Sequence, residues 1–161
     1  MDTNIAKATF AAGCFWGVEA AFRRIDGVVM TSVGYCGGEL PNPSYEAVCT
    51  GRTGHAEAVQ VDFDPERVSY EQLLSQFWVC HDPTQLNRQG PDFGTQYRTA
   101  IFCHDEGQRQ AAAASKQAHG DSGQAGGAVV TEIVMLSDYY LAEDYHQQYL
   151  EKRGMAVSNL P

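Results

Sequence analysis

Two residues stand out for the chemistry their surroundings imply. The first is Cys14, in the stretch Gly13-Cys14-Phe15-Trp16-Gly17. It lies between a short apolar strand pattern and a helix start, with glycines that let the backbone turn on either side. A thiol at a helix N-terminus meets the positive end of the helix dipole and unpaired N–H groups. Those favour the thiolate and predict a pKa below the free value of about 8.5. The ordinary fate of a cysteine beside two aromatics is an inert core thiol, so the rest of the chain has to decide. The second residue is Glu57. Alternation after His55 puts Glu57, Val59, Val61 and Phe63 on one strand face and Ala58, Gln60 and Asp62 on the other. Most strand carboxylates face water. One that opens an apolar face is expected to be partly buried, which raises its pKa. A carboxyl kept neutral can give a proton to an oxygen-bearing centre under attack by a thiol.

The elements that must position these two residues follow from hydrophobic period and turn signals. A buried strand is expected over residues 8–12, ending at Gly13, and a helix over 15–24, where Val18, Ala21, Phe22 and Ile25 recur at helical spacing. Asp26-Gly27 turns the chain into a second strand over 28–35. If the two strands are parallel neighbours, a right-handed crossover brings Tyr35-Cys36-Gly37-Gly38 to the Cys14 end of the sheet. Ser44 caps a short helical turn ended by Gly51. The Glu57 strand follows, then a helix opened by a Ser69/Gln72 capping box and stopped at His81-Asp82-Pro83. Residues 84–96 form a long polar loop, and loops of that length in compact domains are usually functional. A strand over 98–103, an Ala-rich helix over 105–118 closed by His119-Gly120, a surface loop over 121–127, a strand over 129–136 and a partly helical segment over 139–150 complete the order. The expected fold is α+β: a two-layer sandwich with a mixed β-sheet, a ferredoxin-like plait with additional terminal segments, in one domain over 1–161.

Composition narrows the function classes. The chain has 161 residues and a net charge of −9, which argues against nucleic-acid or anionic-membrane surfaces. No basic and apolar leader opens it, and no apolar run reaches the roughly 20 residues of a membrane helix, so a cytoplasmic home is expected. Its five cysteines (Cys14, Cys36, Cys49, Cys80, Cys103) are odd in number and include no Cys-x-x-Cys pair. A disulfide framework and a structural zinc site are both poorly supported, and no metal is expected. Reactive thiol chemistry or inert core cysteines remain.

The segments that carry this chemistry resemble the peptide methionine sulfoxide reductase A family. They are Gly13-Cys14-Phe15-Trp16-Gly17, Gly34-Tyr35-x-Gly37-Gly38, Gly54-His55-Ala56-Glu57-Ala58-Val59, His81 to Gly90, Gly94-Thr95-Gln96-Tyr97-Arg98 and Glu143 to Leu150. The resemblance covers nearly the whole chain. It implies reduction of the S epimer of methionine sulfoxide, in proteins, in peptides or free. Cys14 would be the nucleophile and Glu57 the acid. Tyr45 and Tyr97 would bond the sulfoxide oxygen, Phe15 and Trp16 would wall the methyl pocket, and Asp92 would hold the substrate backbone. Read from composition and position alone, Tyr45, Tyr97 and Asp92 would not be singled out. No cofactor is implied beyond a reducing thiol, thioredoxin being the family's usual donor and dithiothreitol a substitute.

The sequence departs from a common family pattern. Many members carry a resolving cysteine in a glycine-rich C-terminal tail, whereas Gly154 to Pro161 has none, and position 17 is glycine. Cys36, flanked by glycines, is the first candidate to resolve oxidised Cys14. Cys49, beside the Thr50-Gly51 turn, is the second, and an external thiol acting alone is the alternative. Two other readings compete. A thiol peroxidase needs the same reactive cysteine, and a binding module would use Phe15 and Trp16 to recognise methionine without turnover.

Overall fold

A computed structural model describes residues 4–154. The residues 155–160 of the expected tail, and Pro161, lie outside the described part. The chain folds as mixed α and β structure around one six-stranded sheet. Strand β1 (Ala6–Ala12), helix α1 (Phe15–Arg23) and strand β2 (Val28–Cys36) come first, followed by a short helix α2 (Tyr45–Cys49). Strand β3 (Ala56–Phe63) and helix α3 (Tyr70–Cys80) lead to a two-stranded ribbon, β4 (Arg88–Gln89) and β5 (Asp92–Phe93). Strand β6 (Thr99–Cys103), helix α4 (Glu106–Ser122), strands β7 (Glu132–Met135) and β8 (Tyr139–Leu141) and helix α5 (Tyr149–Lys152) complete it.

The sheet order is β7-β6-β1-β3-β2-β8. β3 lies between β1 and β2 and runs antiparallel to both. The two strands flanking α1 are therefore not the parallel neighbours anticipated from the sequence. They still point the same way, so the end of β2 and the turn after β1 share one end of the sheet. The β2–β3 register sets Tyr35 opposite Glu57. That puts Glu57 on the face where Val33, Val59 and Val61 pack under α1 and α3 with Phe10, Phe22 and Phe77.

Cys36 is one residue further along and takes the opposite face. There it packs with Ala11, Ala56, Ala58, Ala100 and Phe102. It was expected beside Cys14; strand alternation sends it through the sheet instead.

Local signals act where the sequence puts them. The Ser69 hydroxyl accepts the Gln72 N–H at 3.0 Å while the Gln72 side chain accepts the Ser69 N–H at 2.8 Å, the reciprocal capping box. Ser44 accepts the Ala47 N–H at 3.1 Å and starts α2. Helix α4 runs past His119-Gly120 to Ser122 and stops at left-handed Gly123 (φ 75°). The residue that can take positive φ, not the first glycine met, ends it. β7 is shorter than the apolar run suggests and joins β6 in parallel at the sheet margin. Among the described residues no helix is long and apolar enough to cross a membrane.

Gly13 carries much of the local geometry. Its φ is 101°, and a Cβ there would lie 2.8 Å from Gln89 Cγ. The ribbon arm therefore sits directly on the β1–α1 turn. Gly13→Ala is expected to lower unfolding stability by about 1–3 kcal/mol through backbone strain and overpacking. Urea denaturation would register this as a lower midpoint with an unchanged slope.

Candidate active site

Helix α1 begins directly after Cys14, whose backbone caps it with φ −57° and ψ 121° and without a side-chain cap bond. The first-turn N–H groups are thus left for other partners. The N–H groups of Trp16 and Gly17 reach the Cys14 sulfur. That of Phe15 donates to Glu57 Oε1 at 3.1 Å. One helix start therefore holds both the Cys14 sulfur and the Glu57 carboxyl.

Glu57 is buried, 1% exposed, and its Oε2 has no hydrogen-bond partner among the described residues. Burial pushes its pKa up to about 7, the Phe15 N–H pulls it down, and the nearby Asp92 charge raises it. The expectation of a neutral, proton-bearing carboxyl near pH 7 agrees with this environment.

Cys14 behaves otherwise than its helix-start position suggests. Burial, then the charge of Glu57, push the thiol up to about 12, although the Trp16 and Gly17 amides pull the other way. Helix-terminus stabilisation is real here, but desolvation outweighs it. A protonated Glu57 removes the charge that opposes the thiolate, so the two ionisations are coupled.

Around this pair stand Tyr45, Tyr97 and Asp92. Tyr97 closes a single 3-10 turn over Thr95–Tyr97, and its phenol is pushed up to about 12 by burial and by the charges of Glu57, Cys49, Asp92 and Cys14. Tyr45 opens α2, and burial, then the neighbouring Cys49 thiol, keep its proton on. Asp92 comes from the ribbon, paired with Gln89. Gln89 in turn bonds Asp82 N and O, each at 2.9 Å, so the long polar loop is tied at its base. The fold brings Cys14, Glu57, Tyr45, Tyr97, Asp92 and Cys49 into one neighbourhood and leaves Cys36 out of it. Cys36 is fully buried on the far face, where desolvation pushes its thiol up to about 12 against the pull of Arg98.

Phe15 is buried against Tyr35, with centroids 5.7 Å apart, and against His146 at 5.2 Å. Trp16 is partly exposed and stacks on Tyr149, centroids 3.8 Å apart and 8° from parallel. Its indole N–H donates to His146 Nδ1 at 2.9 Å. His146 must then carry its proton on Nε2, a buried atom with no partner among the described residues. Its ring also lies 4.4 Å from that of Tyr45.

Glu143 accepts from the Tyr35 hydroxyl and the Tyr45 N–H, both at 2.9 Å. Burial works against its charge, but these donors hold its carboxyl below the ordinary range. Reasoning from residue properties missed Tyr35, Glu143, His146 and Tyr149. Three of these lie more than 85 positions from the residues they support, and only the motif Glu143 to Leu150 marked the segment. Among the described residues no group of three or more His, Cys, Asp or Glu is placed to hold a metal ion.

The raised pKa of Glu57 has a thermodynamic signature. Between the ordinary carboxyl range and about pH 7 the folded protein holds a proton that the unfolded chain has lost. This part of the stability is present at low pH and is lost as pH rises to about 7. Glu57→Gln is expected to remove that fall, worth about 3–4 kcal/mol over the interval. Denaturation midpoints of both proteins from pH 4 to 8 provide the check.

A family model described as peptide methionine sulfoxide reductase matches residues 6–160. The peptide methionine sulfoxide reductase MsrA of Methanosarcina acetivorans is 61% identical over 151 residues, covering 94% of this chain and 80% of that protein. Methionine sulfoxide reductase A of Corynebacterium diphtheriae superposes with a TM-score of 0.91 at 41% identity, covering 96% of this chain and 78% of that one. Mxr1 from Saccharomyces cerevisiae in complex with Trx2 shares the fold, with a TM-score of 0.65 at 24% identity over 92% of this chain and 89% of that one. A thiol and a proton-bearing carboxyl held by one helix start are thus found in a chain that belongs to the peptide methionine sulfoxide reductase A family of oxidoreductases.

Proposed function

We propose that the protein reduces the S epimer of methionine sulfoxide, in proteins, peptides or free, with Cys14 as nucleophile and Glu57 as acid. The observation that carries this is the Glu57 carboxyl, 1% exposed, bonded to the Phe15 N–H and near-neutral at physiological pH beside a buried thiol. A sulfoxide oxygen leaves poorly until protonated. Glu57 supplies that proton, and the phenols of Tyr45 and Tyr97 bond the oxygen and polarise S–O, much as donors do in an oxyanion hole. The Cys14 sulfur attacks the substrate sulfur while its own proton passes to Glu57. As the protonated oxygen passes to the Cys14 sulfur, the substrate S–O bond and the new S–S bond both break, so methionine leaves and Cys14 becomes a sulfenic acid. Phe15 and Trp16 wall the methyl group, with His146 fixing the tryptophan. Asp92 holds the substrate backbone.

Oxidised Cys14 is then returned to the thiol by an external reductant. Thioredoxin is proposed as the physiological donor, supported by the solved complex of Mxr1 with Trx2, and dithiothreitol replaces it in vitro. A cytoplasmic setting fits five cysteines that are all free. The ferredoxin-like plait is supported by the β6-β1-β3-β2 order, with β7 and β8 added outside. A single catalytic domain is supported by the one continuous main sheet that carries every site residue or abuts it.

Turnover of the separated sulfoxide epimers with dithiothreitol tests the assignment. Reduction of the S epimer is expected, and reduction of the R epimer alone would overturn it. The rate should fall as pH rises through about 7, as Glu57 loses its proton. Glu57→Gln should lose that limb and about 10²–10⁴ of the rate, the usual contribution of a positioned acid.

A further inference from the structure

We propose that Cys49 resolves oxidised Cys14 through an internal Cys14–Cys49 disulfide. The proposal rests on the sulfoxide reductase reading and extends it to the step after methionine leaves. Of the five thiols, Cys36 and Cys103 are fully buried, and Cys36 faces the far side of the sheet. The Cys80 thiol is turned inward to the Phe77 carbonyl at 3.3 Å. Cys49 alone is exposed.

Cys49 also shares its neighbours with Cys14. The charge of Glu57 bears on both thiols, and Tyr97 stands in the field of both. Burial pushes the Cys49 thiol up, and the neighbouring Tyr45 hydroxyl pulls it back toward the thiolate, the attacking form.

The backbone permits the approach. Helix α2 has five residues and ends at Cys49 itself, with Gly51 two residues beyond at φ 75°. The Cys49 carbonyl is tethered to the protein body by a long 3.4 Å bond from Gln96 Nε2. A disulfide needs the two Cα atoms within about 4.4–6.8 Å. Unwinding the last turn of so short a helix breaks few bonds.

The redox step balances without a further oxidant. The Cys49 thiolate attacks the Cys14 sulfur, an S–S bond forms, and the S–OH bond breaks. Hydroxide leaves and takes up a proton as water. Cys14 falls from the sulfenic to the disulfide level, and Cys49 rises to it. An external thiolate attacks the exposed Cys49 sulfur and releases the Cys14 thiolate. A second external thiol displaces the mixed disulfide and restores Cys49.

The experiment is one turnover with S-epimer substrate and no reductant, followed by thiol titration, dimedone trapping and peptide mapping. The wild-type protein is expected to lose two thiols per methionine formed and to yield a linked Cys14–Cys49 peptide. Cys49→Ser is expected to lose one thiol and to leave a dimedone-reactive Cys14. Methionine formed with a dimedone-reactive Cys14 in the wild type, or with Cys14 linked to another cysteine, overturns the proposal and leaves the reductase reading intact. No methionine in the wild type overturns that reading, and the proposal with it. The wild-type map decides the matter even if the serine variant is damaged.

Discussion

The bond from the Phe15 N–H to Glu57 is the constraint on which the site depends. It joins the first turn of α1 to the middle of the sheet and compensates half of a carboxyl that otherwise has no partner among the described residues. A buried carboxyl with a single donor is costly when charged. That cost is what keeps a proton available. A second donor on Oε2 would lower the pKa and, on the proposed mechanism, disarm the acid. On that mechanism the buried orphan oxygen is a feature of the kind that active sites retain at the expense of stability.

Around this bond the fold distributes labour by distance along the chain. β1 and its glycine turn aim Cys14, β3 supplies Glu57, α2 and the 3-10 turn supply the phenols, and the ribbon supplies Asp92. The C-terminal segment closes the opposite wall. Buried Glu19 on α1 accepts from Thr31 Oγ1 at 2.8 Å and from the Gln148 N–H at 2.9 Å, so it ties helix, strand and C-terminal segment at one point. Glu143 does the same for Tyr35 and α2. Phe15, Trp16 and Tyr45 thus each take part in a polar bond that spans a large part of the sequence.

What was legible in the sequence was local. The β1–α1–β2 order, the Glu57 alternation, the Ser69 capping box and the Ser44 cap all depend on a few neighbouring residues. The two main errors concern tertiary surroundings. The Cys14 pKa was expected to fall because the helix start was visible and the depth of burial was not. Cys36 was expected near Cys14 because both lie at one sheet end. Yet the alternation that placed Glu57 also puts Tyr35 on its face and Cys36 on the other, and that signal was present and unused. His146 and Glu143 could not be found by period or spacing, since their partners Trp16 and Tyr45 lie in the first third of the chain.

The stack of Trp16 on Tyr149, with the indole held by His146, has one more consequence. It makes the substrate wall a joint between the beginning and the end of the described chain. A nascent polypeptide that has emerged as far as β6 already carries Cys14, Glu57, Tyr45, Tyr97 and Asp92. It lacks the wall until the last dozen described residues arrive. The Cys14 pocket and its aromatic wall are therefore completed at different moments of synthesis, and an incomplete chain would carry the thiol without the stacked surface beside it.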